Sequence, residues 1–274
     1  MKSFKKEWKN IRQKIKSKEL YLFLDLDGTL CPIRRRLDNV VLSSDKKNVL
    51  EKLNFIDGVS VAIVSGRKIN DLKKIVGIKN LIYVGNHGFE AQGVGGHNTD
   101  VFLRKFTRYE ALMKKIKQKL KKSLKKYKGV VVEDKGITLG VHYRQVTEKA
   151  FKEVKSVFEN IIAPYETKKQ VLIRPGKKVW EVRPPVNWNK GRMVSWIFGQ
   201  VTKKRNGKMA AFCMGDDKTD EDMFKEFKGN KNVYTIKIGQ KTDHSCAGYY
   251  LKNTTEVADL LKKLYRFKRR KESV

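Results

Sequence analysis

Tyr21-Leu22-Phe23-Leu24-Asp25-Leu26-Asp27-Gly28-Thr29 is the stretch on which the reading of the fold turns. Residues 21–26 are apolar at every position but one, without the polar alternation of a half-exposed strand, so they read as a strand buried on both faces. Asp-Gly-Thr follows as a turn. Working outward, Val59-Ser60-Val61-Ala62-Ile63-Val64 is a second buried strand that runs into Ser65-Gly66-Arg67, and Leu81-Ile82-Tyr83-Val84 is a third. Helices are expected over residues 43–54 and 69–76. Near-continuous apolar strands alternating with helices predict a doubly wound α/β core whose parallel sheet is covered on both faces.

The middle of the chain changes character. After Gly93-Val94-Gly95-Gly96 comes a lysine-rich helix over residues 107–127, with Leu112, Ile116, Leu120 and Leu124 as its apolar stripe. Strands at 129–134 and 137–143 read as a hairpin turning at Lys135-Gly136. A helix over 147–162 and strands near 170–174 and 178–182 complete a separate α+β block. The doubly wound pattern then returns: a helix over 189–203, a strand at 209–214 ending at Gly215-Asp216-Asp217, a helix over 219–227, a strand at 233–238 and a final helix over 255–264. The architecture expected is one α/β domain carrying an insertion. At the amino end, Phe4, Trp8, Ile11 and Ile15 give residues 1–19 the spacing of a basic amphipathic helix, expected to pack on the domain behind it, because one short basic helix is a weak membrane anchor.

Composition narrows the class. With 274 residues and 40% hydrophobic content, the chain has enough apolar material for a sizeable core divided between two domains. No apolar run is long enough to span a bilayer. Cys31, Cys213 and Cys246 form no CxxC pair, so neither a disulfide framework nor a structural zinc site is expected, and a reducing cytoplasm is the default location. Lysine and arginine number 62 against 29 acids, a formal charge of +33. The lysines are scattered along the whole chain, which reads as a solvated basic surface that steers anionic substrates.

Four features fall at or beside the carboxyl ends of the expected parallel strands, the edge at which open α/β sheets place their sites. They are Asp25-Leu26-Asp27-Gly28-Thr29, Ser65-Gly66-Arg67, Lys190, and Gly215-Asp216-Asp217-Lys218-Thr219-Asp220. Asp25 and Asp27 sit two apart, and Gly28 lets the backbone turn away so that both carboxylates reach one cleft. Such a pair divides its labour: one carboxylate attacks phosphorus, the other donates a proton to the leaving alkoxide and then activates water. Repulsion among the acids calls for a hard cation bound by oxygen, magnesium, with Asp25 and Asp216 as ligands and Asp220 orienting its waters from behind. Thr29 and Ser65 are short donors for phosphate oxygens, and Lys190 is a point cation for the phosphate and Asp25. Each piece alone is a common turn or surface residue; the ordered set at strand ends is the specific signal. The acidic run 216–222 lacks the glycine and closing glutamate of a calcium loop.

These residues resemble the haloacid dehalogenase (HAD) superfamily of aspartate-nucleophile phosphatases, with Asp25–Leu30, Ser65, Lys190 and Gly215–Asp220 in the places of its four motifs. Within it the chain is most similar to the trehalose-6-phosphate phosphatases, through Val64-Ser65-Gly66-Arg67, Gly85-Asn86-His87-Gly88, Glu133-Asp134-Lys135, His142-Tyr143-Arg144, Glu181-Val182-Arg183-Pro184, Asn189-Lys190-Gly191 and Gly215–Glu221. The likeness spans about residues 20–260. The resemblance implies a Rossmann-like HAD core over 1–97 and 184–274, with a mobile cap over 98–183. It implies Asp25 as the phosphorylated nucleophile, and Asp27 as general acid and base whose main-chain carbonyl joins Asp25, Asp216 and Asp220 at the Mg2+. Thr29, Ser65, Gly66 and Arg67 would meet the phosphate. Glu133, Lys135, His142, Arg144, Glu181 and Arg183 would read sugar hydroxyls, with Asn86 and His87 as a site wall. The expected partner is a small sugar phosphate, with no specific nucleic acid and a monomer favoured.

The core motifs alone leave other capped sugar-phosphate phosphatases open, of the sucrose-6-phosphate or mannosyl-3-phosphoglycerate type. From a different class, the charge excess and the 107–127 helix leave open a basic nucleic-acid-binding scaffold, although no aromatic stacking motif or helix-turn-helix pattern accompanies them.

Overall fold

The structure is a computed structural model that describes residues 1–33, 40–94, 106–176, 178–204, 208–241 and 244–269. The chain divides into two compact units, residues 1–99 with 188–274, and residues 100–187. The expected boundary at 97/98, Gly95-Gly96 and the last five residues of the basic tail lie outside the described residues.

The first unit is built on an eight-stranded sheet. Its strands are Lys2–Ser3 (β1), Glu19–Leu24 (β2), Val59–Val64 (β3), Ile82–Gly85 (β4), Glu90–Gln92 (β5), Met209–Gly215 (β10), Val233–Ile238 (β11) and Tyr249–Leu251 (β12). The order is β1-β12-β11-β10-β2-β3-β4-β5, and every pairing is parallel except β4 with β5. β2 and β10 lie side by side at the centre, with Leu24 opposite Met214. From β2 the chain winds one way through β3 and β4; from β10 it winds the other way through β11 and β12. The order therefore reverses between β2 and β10, which opens a crevice beyond their carboxyl ends. Both strands are buried almost throughout, as their unbroken apolar sequences require.

Helices Phe4–Lys14 (α1), Ser44–Asn54 (α2), Ile69–Val76 (α3), Lys190–Lys204 (α6), Asp220–Glu226 (α7) and Thr254–Arg269 (α8) belong to this unit. The amino-terminal helix is shorter than its periodicity suggested, because Lys2–Ser3 joins the sheet edge beside Tyr249–Tyr250. Phe4, Ile11 and Ile15 are buried, and Phe4 lies edge-on to Phe212 and Tyr249. Past the end of α1, the buried Lys268 of α8 donates to the carbonyls of Ile15 and Lys18 and ties the turn after the helix to α8. No described helix is long and apolar enough to cross a membrane.

The second unit pairs a four-stranded antiparallel sheet, β6-β7-β9-β8, with two helices, Glu110–Leu124 (α4) and Glu148–Thr167 (α5). The strands are Val131–Asp134 (β6), Leu139–His142 (β7), Leu172–Gly176 (β8) and Val179–Arg183 (β9). Alternation along them sends Leu139, Val141, Trp180 and Val182 into a core with Met113, Ile116, Leu120, Phe158 and Ile162. Helix α5 runs past Pro164, where the sequence predicts a stop. Ile162 and Tyr165 on either side of the proline are buried in that core, and packing outweighs the one missing hydrogen bond.

Phe4→Ala is expected to lower the unfolding free energy by about 3–4 kcal/mol, measured by urea denaturation, because the aromatic ring cannot be replaced by collapse of a sheet edge on one side and α8 on the other.

Candidate active site

Asp25 follows β2 and Asp216 follows β10, so the reversal of strand order sets the two acids next to each other. Asp25 N–H donates to the Met214 carbonyl at 3.0 Å, which fixes that neighbourhood through the backbone. Gly28 holds φ at +96°, and a β-carbon there would collide with the Asp216 carboxylate. The turn needs glycine on both counts. Asp220, in the first turn of α7, completes a trio: one carboxylate oxygen from each of Asp25, Asp216 and Asp220 lies within 4.8 Å of the others.

Lys190 is almost fully buried between two of them. Its Nζ donates to Asp25 Oδ1 at 2.7 Å and to Asp220 Oδ1 at 2.5 Å. It is also the first residue of α6, an end of a helix where a cation is normally disfavoured; the two carboxylates explain its presence there. Burial alone would push its ammonium pKa down, but Asp220 and Asp25 outweigh burial and raise it, so Lys190 is held charged. The carboxyls are pushed the other way. Burial first, and then the neighbouring acids, raise Asp216 to about 7; burial raises Asp25 with help from Asp217 and Asp216, and raises Asp220 with help from Asp25 and Asp217, both despite Lys190. Burial would also raise Asp217, but Lys190 and donors from Thr219 hold it below the usual carboxylate range.

The three acids are not equivalent. Both Asp220 oxygens are taken, Oδ1 by Lys190 and Oδ2 by the amides of Asp216 and Asp217 at 2.9 and 3.1 Å. Among the described residues, Asp25 Oδ2 and Asp216 Oδ1 are buried without a hydrogen-bond partner. Two orphaned carboxylate oxygens in an acid-rich pocket match the donor set of a hard divalent cation held by one or two carboxylates. The Thr29 hydroxyl, fully buried, is likewise without a partner.

Asp27 stands outside this trio. Its carboxylate is gripped by Arg67, Nε to Oδ2 at 2.6 Å and Nη2 to Oδ1 at 2.8 Å. Ser65 is buried beside it, its Oγ accepting from Arg67 N–H at 3.2 Å. Asn86 and His87 underlie this loop: Asn86 N–H donates to Arg67 O at 2.6 Å and His87 N–H to Ser65 O at 3.1 Å. Both have left-handed backbones, φ 49° and 55°, and the His87 ring lies where a β-carbon on Gly66 would sit. Such a turn costs about 1–3 kcal/mol per residue and persists because its surroundings enforce it. Glu90 secures it from below, accepting from Asn86 Nδ2 at 3.3 Å and from the Ile69 amide that opens α3 at 3.0 Å.

In the second unit, strand register puts Glu133, His142, Glu181 and Arg183 on the sheet face away from the helices. They form a chain of contacts with Lys135. His142 Nε2 meets Glu133 Oε2 at 2.8 Å, Lys135 Nζ lies 3.6 Å from Glu133 and 3.5 Å from Glu181, and Arg183 Nε donates to Glu181 Oε2 at 2.8 Å. Burial would raise Glu133, but His142 and Lys135 outweigh it and lower its pKa. Arg144 is exposed in the turn after β7. Sequence reasoning gave no role to Asp217, Glu90, Glu221 or Lys237, all of which support the site; Lys237, the lone charge in an otherwise uncharged buried strand, was the visible signal.

Lys190→Met leaves Asp25 and Asp220 facing each other uncompensated. A loss of about 3–5 kcal/mol of unfolding free energy is expected at pH 8. The sign with pH follows from the carboxyls' raised folded-state values: their ionisation destabilises the fold as pH rises through those values, so the loss shrinks at pH 5. Adding Asp220→Asn restores part of the stability at pH 8. Denaturation of the single and double variants at both pH values checks this.

Comparisons with known proteins agree with this geometry. The sequence profile described as trehalose-phosphatase matches residues 23–255. "Probable trehalose-phosphate phosphatase 2" of Oryza sativa subsp. japonica is 30% identical over 271 residues, 92% of this chain and 70% of the relative's length. "Trehalose-phosphate phosphatase B" of Arabidopsis thaliana is 27% identical over 261 residues, 93% of this chain and 68% of that protein. Among solved structures, the C-terminal domain of a C. albicans trehalose-6-phosphate phosphatase superposes with a TM-score of 0.74 at 24% identity, covering 94% of this chain and 96% of that one. A trehalose-6-phosphate phosphatase related protein gives 0.71 at 21%, covering 92% and 99%. The chain shares the fold of these structures, and the profile match over most of its length means that it belongs to the trehalose-phosphatase family.

Proposed function

We propose that this chain hydrolyses trehalose 6-phosphate to trehalose and inorganic phosphate, with Mg2+, through a phosphorylated Asp25. One observation carries the reading: the buried Asp25 carboxylate has one oxygen on Lys190 and the other without a partner among the described residues, in a group that clusters with Asp216 and Asp220 at the carboxyl ends of β2 and β10.

Asp25 attacks phosphorus, the bond from phosphorus to the sugar oxygen breaks, and Asp27 gives that oxygen its proton. Water then attacks the phosphoaspartate, Asp27 takes the water's proton, and phosphate leaves with Asp25 regenerated. The Thr29 and Ser65 hydroxyls and the Gly66 and Arg67 segment are the donors for the phosphate oxygens. Lys190 holds Asp25 in place and supplies positive charge beside the transferring group. Asp25 and Asp216 would hold Mg2+ directly, Asp27 would add its main-chain carbonyl, and Asp220 would act from behind, since its own oxygens are occupied. When bound, Mg2+ neutralises phosphate charge that would otherwise repel an anionic nucleophile.

Asp27 adds a constraint. Arg67 occupies both carboxylate oxygens, and protonation removes the charge that makes this pairing strong, so the Arg67–Asp27 pair loosens in the acid form. The loosened guanidinium is then available to the phosphate or sugar. Residues 100–187 serve as the cap in this reading, and their Glu133, Lys135, His142, Arg144, Glu181 and Arg183 set offers both acceptors and donors to sugar hydroxyls. Closure over the sugar limits the water that reaches phosphoaspartate. The three unpaired cysteines accord with a reducing cytoplasm.

Phosphate release from trehalose 6-phosphate, sucrose 6-phosphate and mannosyl-3-phosphoglycerate, each with Mg2+ and with chelator, tests the substrate and the metal together. Turnover is expected with trehalose 6-phosphate and Mg2+ only; equal rates on all three sugars would sink the substrate assignment. Asp25→Asn, a neutral isostere, is expected to keep the fold and lose turnover by at least about 10³-fold. Substantial residual activity would remove Asp25 as nucleophile.

A further inference from the structure

Asp216 has a positional problem that its own side chain does not solve. Its buried Oδ1 has no hydrogen-bond partner among the described residues, whereas its main chain is held on both sides. The N–H of Asp216 is held by Asp220 Oδ2 at 2.9 Å. Its carbonyl is held by Lys237 Nζ at 2.6 Å. The residue is therefore pinned at both poles of its main chain, once by a neighbour in its own loop and once by a side chain from another strand.

Lys237 is placed for this by register. It stands opposite Gly215, the last residue of β10, and is the only charged residue of β11. It is largely buried, with Glu221 Oε1 at 3.9 Å as its counter-charge. Glu221, from the first turn of α7, also accepts from Ser245 Oγ at 2.7 Å through Oε1 and from the Cys246 amide at 2.8 Å through Oε2. Glu221 thus draws the segment before β12 against α7 and sets its carboxylate beside the ammonium that donates to Asp216.

We infer that Glu221 and Lys237 form a bracket that sets the position of Asp216 for its cation, both acting as positioning residues that touch neither substrate nor metal. The inference rests on the proposed role of Asp25 and Asp216 as Mg2+ ligands. Its consequence runs against simple electrostatics. Lys237 is a cation near the cation site, so by charge alone its loss tightens Mg2+ binding, whereas loss of Glu221 weakens it. If the bracket acts through position, both losses weaken it.

The experiment is calorimetric titration of the full chain with MgCl2 alone, together with thermal melts, for wild type, Glu221→Gln, Lys237→Met and Lys237→Arg. The expected result is a loss of Mg2+ affinity of about 10–100-fold for both Glu221→Gln and Lys237→Met, the range seen when groups that orient ligands are removed. Lys237→Arg, which still donates to the carbonyl, lies closer to wild type and serves as the folded comparison if Lys237→Met proves unstable. Unchanged affinity in the folded variants, or tighter binding by Lys237→Met, overturns the bracket: the contacts are then structural, or a plain charge effect. If wild type takes up no Mg2+, or Asp216→Asn binds it equally well, the metal reading beneath the bracket fails instead.

Discussion

The buried ammonium of Lys190 is what allows the acids of the core to exist together. Asp25, Asp216, Asp217 and Asp220 fall within one loop cluster, and burial makes each charge expensive. One internal cation, shared between Asp25 and Asp220, offsets part of that cost. It does so unevenly: Asp220 is satisfied completely, while Asp25 and Asp216 each keep an oxygen without a partner. The residual imbalance is the chemical asset. An acid pocket left short of positive charge is one that a divalent cation could complete, and the fold tolerates the shortfall because a deep sheet core stands beneath it.

Backbone contacts do much of the aiming. Asp25 is tied through its amide, Asp216 through both amide and carbonyl, and the Ser65–Arg67 loop through the carbonyls that Asn86 and His87 bind. Side-chain oxygens are thereby left for ligands. The same economy explains the close approaches: Gly28 has no β-carbon because the Asp216 carboxylate occupies that space, and Gly66 has none because the His87 ring does. The second unit follows another logic, in which Glu133, Lys135, His142, Glu181 and Arg183 satisfy one another across a sheet face.

Much of this was legible in the sequence for physical reasons. Short unbroken apolar runs such as Tyr21–Leu24 and Met209–Met214, closed by turn residues and alternating with helices, read as strands covered on both sides, which sets the acids at their ends at the crevice edge. The short strands β1, β5 and β12 were not legible, since two or three residues carry no period. The extension of α5 through Pro164 was hidden because local propensity opposes it and only packing favours it. Among the site residues, Asp25, Asp216, Asp220 and Lys190 meet as their positions at strand and helix ends dictate. The grip of Arg67 on Asp27 was not readable, because two half-buried side chains find each other through rotamers rather than through spacing. Glu90 and Glu221 escaped for a similar reason: each accepts from a main-chain amide of another segment, which sequence does not mark, whereas Lys237 left a trace as the lone charge of β11.

The central pairing of the sheet has a consequence for how the protein is made. β2 lies against β10, so Leu20 waits for Ala210, about 190 residues downstream. At ribosomal rates of about 5–20 residues per second, the edge of β2 stays open for roughly 10–40 s. Every strand of the second unit, by contrast, lies between Val131 and Arg183, and its antiparallel sheet is complete before β10 exists. The insertion thus finishes first, while an apolar, parallel-pairing edge remains exposed behind it. Among the hazards of nascent chains that edge is a severe one, and it places the period of greatest exposure to mispairing in the interval between the synthesis of the two central strands.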